Sequence, residues 1–209
     1  MAADRPPDEL ARAIIAAEYG YVAQTAFQAN EDRARAWQYF FVTFATLIAA
    51  LLSTQIEGID RRQLYLTFVV IFALLAALGL ITILQLVRLR QAWLESVRAM
   101  NQIKERLIAG DPALAAYFRW SSANVPPPLK LRSFGFLQAL SVALLSGLAV
   151  GAAVAFGGLA RGEAVVPWGA SLLAAGLAAA GILGLGYVRP LRQTPPVVGP
   201  ESRPPGSPS

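Results

Sequence analysis

Reactive side chains are scarce in this chain. Of its 209 residues none is cysteine and none is histidine. That removes the thiolate nucleophile, the disulfide framework, Cys-based metal sites and the commonest general base. Chemistry would fall to the 13 carboxylates, to Ser, Tyr or Lys, or to a metal held by oxygen ligands. The close acidic pairs flanking the apolar runs are Glu31–Asp32 and Glu57…Asp60. Paired carboxylates can divide acid and base work between them. Next to an apolar run they also read as a solvated face, and that is the reading adopted. The glycines of GLAVGAAVAFGG (147–158) do not make a phosphate loop, because no strand precedes them. The expectation is a protein that is not an enzyme, with no cofactor and no metal.

The elements that carry these residues are apolar. Hydrophobic residues make up 56% of the chain and charged residues 15%, against about 25% charged in an ordinary soluble domain. Four long runs account for the deficit: 37–55, 64–87, 134–156 and 167–188. Each is close to the ~20 residues that cross a hydrocarbon core about 30 Å thick, and none holds a charge. The fold class expected is an all-α membrane protein with four transmembrane helices. The polar, acidic leader before Trp37 lacks the pattern of a signal peptide, so the first run reads as a retained anchor.

Basic residues set the orientation. Arg5, Arg12, Arg33 and Arg35 precede the first span. Arg88, Arg90, Arg98, Lys104, Arg106, Arg119, Lys130 and Arg132 lie between spans two and three, and Arg189, Arg192 and Arg203 follow span four. Only Arg61, Arg62 and Arg161 lie in the other two linkers. Both termini and the middle segment are therefore expected in the cytoplasm, with the chain in a cell inner membrane. The net charge of +5 gathers beside the spans, which points to the lipid bilayer rather than to nucleic acid. Arginine over lysine, with abundant Ala, Gly and Pro, suggests a bacterial source.

Outside the spans, residues 1–36 form an N-terminal helix from Asp8. Its apolar face is Leu10, Ile14, Ala17, Tyr21 and Gln24, running to about Gln28 and either breaking at Asn30 or continuing into the membrane. From the end of span two into 88–133, Leu86, Leu89, Trp93, Val97, Met100, Ile103 and Leu107 step by three and four. This stripe predicts one helix from Leu64 to about Ala109, whose cytoplasmic part reaches about 33 Å. Gly110 fits a stop, and Asp111-Pro112 opens a short helix over Ala113–Trp120. A stiff Pro-rich lead from Asn124 enters span three. The two stripes are expected to pack as a short stalk, within one chain or between chains. The tail, 189–209, reads as disordered.

No ionisable group lies inside a span, which disfavours a coupled transporter. Ala143, Gly147, Gly151 and Ala155 recur every four residues, as do Gly176, Ala180 and Gly184. Small residues at this spacing let helices approach closely, so spans three and four are expected to form a tight pair. The leading functional expectation is a homo-oligomeric interaction or scaffold protein, with a cytoplasmic protein partner also open. The alternative is an oligomeric pore or membrane effector, and a small transporter ranks below both.

The stretch EYGYVAQTAFQANEDRARAWQYFFVTFATLIAALL (18–52) resembles the start of bacterial membrane proteins with a helix ahead of a helical hairpin. Over about Glu18–Leu107 the outline resembles the SLATT group of two-span domains, which implies a membrane-effector role. Spans three and four are additions to that outline, and the resemblance transfers no functional residue. The cluster Glu31, Asp32, Arg33 and Arg35 is expected to mark the cytoplasmic interface. A sharper expectation has it dock on Arg88, Arg90 or Glu95 of the second helix and couple cytoplasmic events to the spans.

Overall fold

A computed structural model describes residues 7–53, 60–118, 121 and 125–195. The described residues are almost entirely helical. Helix α1 spans Pro7–Ser53 and α2 spans Arg61–Gly110. A 3-10 turn follows at Pro112–Tyr117, then α3 at Phe134–Ala160. Helix α4, Trp168–Gly181, passes through a π-helical segment, Ile182–Val188, into α5, Arg189–Gln193. Four of these stretches are long and apolar enough to cross a membrane. The expected end of span one at Gln55 and the first half of the linker Ile56–Gln63 fall outside the described residues.

Helix α1 does not break at Asn30, since nothing there removes a backbone donor or forces a turn. Helix α2 likewise runs unbroken past the last apolar residues. The Asp60 carboxylate accepts from the Gln63 amide at 3.2 Å at its start. Asp111 caps the next turn, accepting from the Ala113 amide at 3.0 Å. That turn closes as a six-residue 3-10 helix ending at Tyr117, shorter and tighter than the expected helix to Trp120, which lies outside the described residues. Short 3-10 turns suit a segment with no buried apolar face. Ser133 caps α3, accepting from the Phe136 amide at 3.2 Å. At the far end of α3, Gly162 takes φ 93°, a left-handed conformation that terminates helices and suits glycine.

Contacts divide the chain into two units. The bundle unit comprises Asp32–Arg88 and Leu129–Gln193. The paired-helix unit comprises the described parts of Met1–Glu31, Leu89–Pro128 and Thr194–Ser209.

The bundle core gathers Phe40 of α1, Ile83, Leu86 and Val87 of α2, Ala139 and Val142 of α3, Tyr187 of the π-helical segment and Leu191 of α5. Phe156 of α3 packs against Phe68 and Phe72 of α2, with ring centroids 4.8 and 5.8 Å away. In the paired-helix unit, burial on α2 centres on Leu94 and Asn101, seven residues apart. The expected stripe Trp93, Val97, Met100, Ile103 and Leu107 is only half-buried. The buried line thus runs beside that stripe, close enough that both sets share one broad face.

The N-terminal face is a larger correction. Leu10, Ile14, Ala17, Tyr21 and Gln24 are all exposed. The buried residues of this N-terminal part of α1 are Val22, Ala26 and Ala29, on another side of the helix. An alanine-rich helix offers more than one apolar side, and small side chains allow the closest approach of a neighbour. Periodicity alone does not choose between such sides.

The tail also differs from expectation at its start. Arg189–Gln193 is helical and Leu191 is buried. Thr194 Oγ1 accepts from the Gln91 side chain at 3.2 Å, and the Pro195 carbonyl accepts from Arg98. A single leucine in a polar, proline-rich context gives no periodic signal, yet it is enough to seat this turn in the core. Residues 196–209 lie outside the described set.

Candidate functional site

Three places collect the residues singled out by sequence. The first is the contact between α3 and α4. A Cβ on Gly147 would stand 2.5 Å from the Ala175 carbonyl oxygen and 2.7 Å from Ala179 Cβ. One on Gly151 would stand 2.7 Å from the Ser171 carbonyl oxygen and 2.9 Å from Ala175 Cβ. Glycine is required at both positions because the backbones meet there. Ala143 is buried and Ala155 half-buried. On α4 the contact comes from Ser171, Ala175 and Ala179. The ladder Gly176, Ala180 and Gly184 lies off this contact: Gly176 and Ala180 are exposed, and open space surrounds Gly176 and Gly184. Because α4 is small-residue-rich on several sides, two four-residue ladders compete in its sequence, and the packing uses the one a position earlier.

The same bundle holds features that the sequence did not flag. Gly79 of α2 faces Ser146 of α3, and a Cβ there would run into Ser146 Oγ. That hydroxyl donates to the Val142 carbonyl at 2.7 Å and is fully buried. Trp37 Nε1 donates to Ser141 Oγ at 3.1 Å, and Ser141 donates to the Gln138 carbonyl at 2.8 Å. The π-helical turn sits immediately before Pro190. A proline clashes with the carbonyl four residues earlier, here that of Gly186. Widening the helix over Ile182–Val188 relieves that clash and brings Gly186 within 3.0 Å of Ile83 when its Cβ is built. The pairing of Pro190 with Gly184 and Gly186 is the sequence signal for it.

The second place is the charge cluster. Asp32 and Arg35 pair at 3.6 Å, both substantially exposed. The Arg33 guanidinium and the Tyr187 hydroxyl both lie beside Gly135 in the first turn of α3, 3.2 and 3.7 Å from where its Cβ would be. Arg33 of α1 therefore packs against the start of α3 within the bundle. Glu31, Arg88 and Glu95 are exposed. Arg90 lies 4.4 Å over the Trp93 ring and donates to the Pro128 and Pro127 carbonyls at 3.4 and 3.3 Å. It anchors the Pro-rich lead into α3.

The third place is in the paired-helix unit. Arg12, Ile15, Ala16 and Tyr19 of α1 face Ile103, Lys104 and Leu107 of α2 and Phe118 across a pocket of about 350 Å³. Ile103 and Leu107 belong to the sequence stripe. The pocket itself was not legible, because it depends on which side of α1 turns inward.

Among the described residues no group of three carboxylates is arranged to hold a metal. The chain matches no protein-family profile, no curated protein and no solved structure.

Proposed function

We propose that the chain is a non-enzymatic, multi-pass protein of a bacterial inner membrane, with both ends and the middle segment cytoplasmic, acting as a self-associating scaffold. The orientation rests on the placement of its basic residues. The observation that carries the scaffold reading is the exposed apolar face of α1. Leu10 is 51% exposed, Ile14 60% and Tyr21 68%. These residues precede the span, where the reading puts water rather than lipid. A contiguous apolar stripe in water marks an interaction surface. Among the described residues none covers it, because α1 turns Val22, Ala26 and Ala29 inward instead. Within the chain α1 and α2 already meet through other sides, and the exposed stripe supports a further contact between chains. A second copy is the partner that presents a matching apolar stripe.

The test is oligomeric state, read by native mass spectrometry of the chain in lipid nanodiscs, with Ile14→Glu as the comparison. The reading expects an oligomer that dissociates in the variant. A monomeric native chain would sink it. Having no cysteine, the protein also permits a clean cross-linking check at Ile14→Cys. Collapse of the membrane potential on controlled expression would replace the scaffold with a pore.

A further inference from the structure

The pocket in the paired-helix unit has no part in the scaffold reading, and its chemistry points elsewhere. Its volume of about 350 Å³ is at the lower end of the ~300–1,000 Å³ typical of small-molecule sites. Ile15, Ile103 and Leu107 give it an apolar interior. Lys104 stands at its edge, its ammonium 5.9 Å from the Tyr19 ring and 5.8 Å from the Phe118 ring. Two ring faces attract a cation and hold it at the pocket, but they offer no strong acceptor for its protons. Arg12 lines the same cavity. Among the described side chains no carboxylate pairs with Lys104 or Arg12. An apolar hollow with two cations and no acid among its described lining residues is complementary to a molecule with an apolar body and an anionic end.

We propose that this pocket binds an amphiphilic organic anion. Its carboxylate or phosphate sits at Lys104 and Arg12, and its apolar body lies against Ile15, Ile103 and Leu107. Arginine supplies a planar fork that matches two oxygens at once, and lysine a compact charge. The apolar body gains by displacing water from the aliphatic walls. The same chemistry is available from a soluble acid or from a membrane lipid, and the experiment separates the two.

The full chain in nanodiscs of zwitterionic lipid is titrated with radiolabelled decanoate, and with decanol as its neutral counterpart. Saturable decanoate binding is expected, with decanol weaker by about tenfold or more, because it lacks the charge-assisted hydrogen bonds. Lys104→Met keeps the aliphatic stem and should weaken decanoate by about tenfold while leaving decanol unchanged. Arg12→Gln, at an exposed position, should act in the same direction without disturbing the fold. Ala16→Phe should fill the hollow and weaken both ligands. Absence of saturable decanoate binding overturns the proposal. So does equal affinity for decanol, or decanoate affinity unchanged in Lys104→Met and Ala16→Phe. Repeating the titration in nanodiscs containing phosphatidylglycerol names the source: competition assigns the site to an anionic lipid, and unchanged affinity to a soluble anion. None of the three variants changes Leu10, Ile14 or Tyr21, so failure here leaves self-association intact.

Discussion

Helices α3 and α1 both carry an apolar run long enough to cross a membrane, and they use it in opposite ways. Of the most apolar stretch of α3, 39% is buried; of that of α1, 6%. Helix α3 is the centre of the bundle. It meets α4 through Gly147 and Gly151, α2 through Ser146 against Gly79, and α1 through Ser141 and Gly135. Helix α1 commits Phe40 to the core, with Trp37, Phe41 and Phe44 partly buried beside it, and turns Val42, Leu47 and Leu52 outward. The run of α3 is the more apolar, with mean hydropathy 2.2 against 1.5, and the two differ also in side-chain size. In an apolar solvent there is no hydrophobic gain from helix association, so close packing and hydrogen bonds decide it. Small residues permit that packing, and large ones face whatever surrounds the bundle.

The comparison breaks most directly at the glycines. Gly147→Leu with Gly151→Leu puts side chains into the backbone of α4. Overpacking is expected to lower stability by about 1–3 kcal/mol per site or more, read as a fall in thermal unfolding temperature in nanodiscs. Gly176→Leu, on the exposed ladder, is expected to change stability by less than about 0.5 kcal/mol. If the two ladders responded alike, the assignment of the α4 contact to Ser171, Ala175 and Ala179 would fail.

On the apolar run of α1 the fully buried residue should stand out. Phe40 is 1% exposed, and Phe40→Ala is expected to cost about 3–5 kcal/mol. Leu52→Ala, on the outward face, should be near neutral in the monomer. A large loss at Leu52 that depended on protein concentration would mean that another copy covers this side of α1.

The α2–α3 contact offers a cycle rather than a single value. Gly79→Ala is expected to destabilise by about 1–3 kcal/mol because it meets Ser146. Ser146→Gly should restore much of that loss in the double variant, since it removes the atoms in the way. Additive effects of the two changes, measured by thermal unfolding, would show that the helices have shifted apart instead.

The smallest effect belongs to the charge cluster. Asp32→Asn removes one exposed partner of a 3.6 Å pair, and such pairs contribute about 0–1 kcal/mol. A stability change above that range, or a change in oligomeric state, would give the cluster the coupling role that its position next to the span suggests.

The sequence determined by itself that this is an all-helical chain with four runs fit for a membrane. Length, hydropathy and the absence of charge are local properties, and a backbone in hydrocarbon must satisfy its own hydrogen bonds, which leaves helices as the simplest solution. It also determined the Asp111–Pro112 cap, since a cap is set by adjacent residues, and flagged Gly147 and Gly151 of α3, two glycines four apart within a longer ladder of small residues. Only the tertiary structure decided which side of α1 turns inward, which small ladder of α4 meets α3, and that Leu191 seats the turn after span four. In each case the sequence offers two or more faces of nearly equal apolarity. The choice depends on how closely two backbones can approach, a property of the pair of helices that neither helix encodes alone.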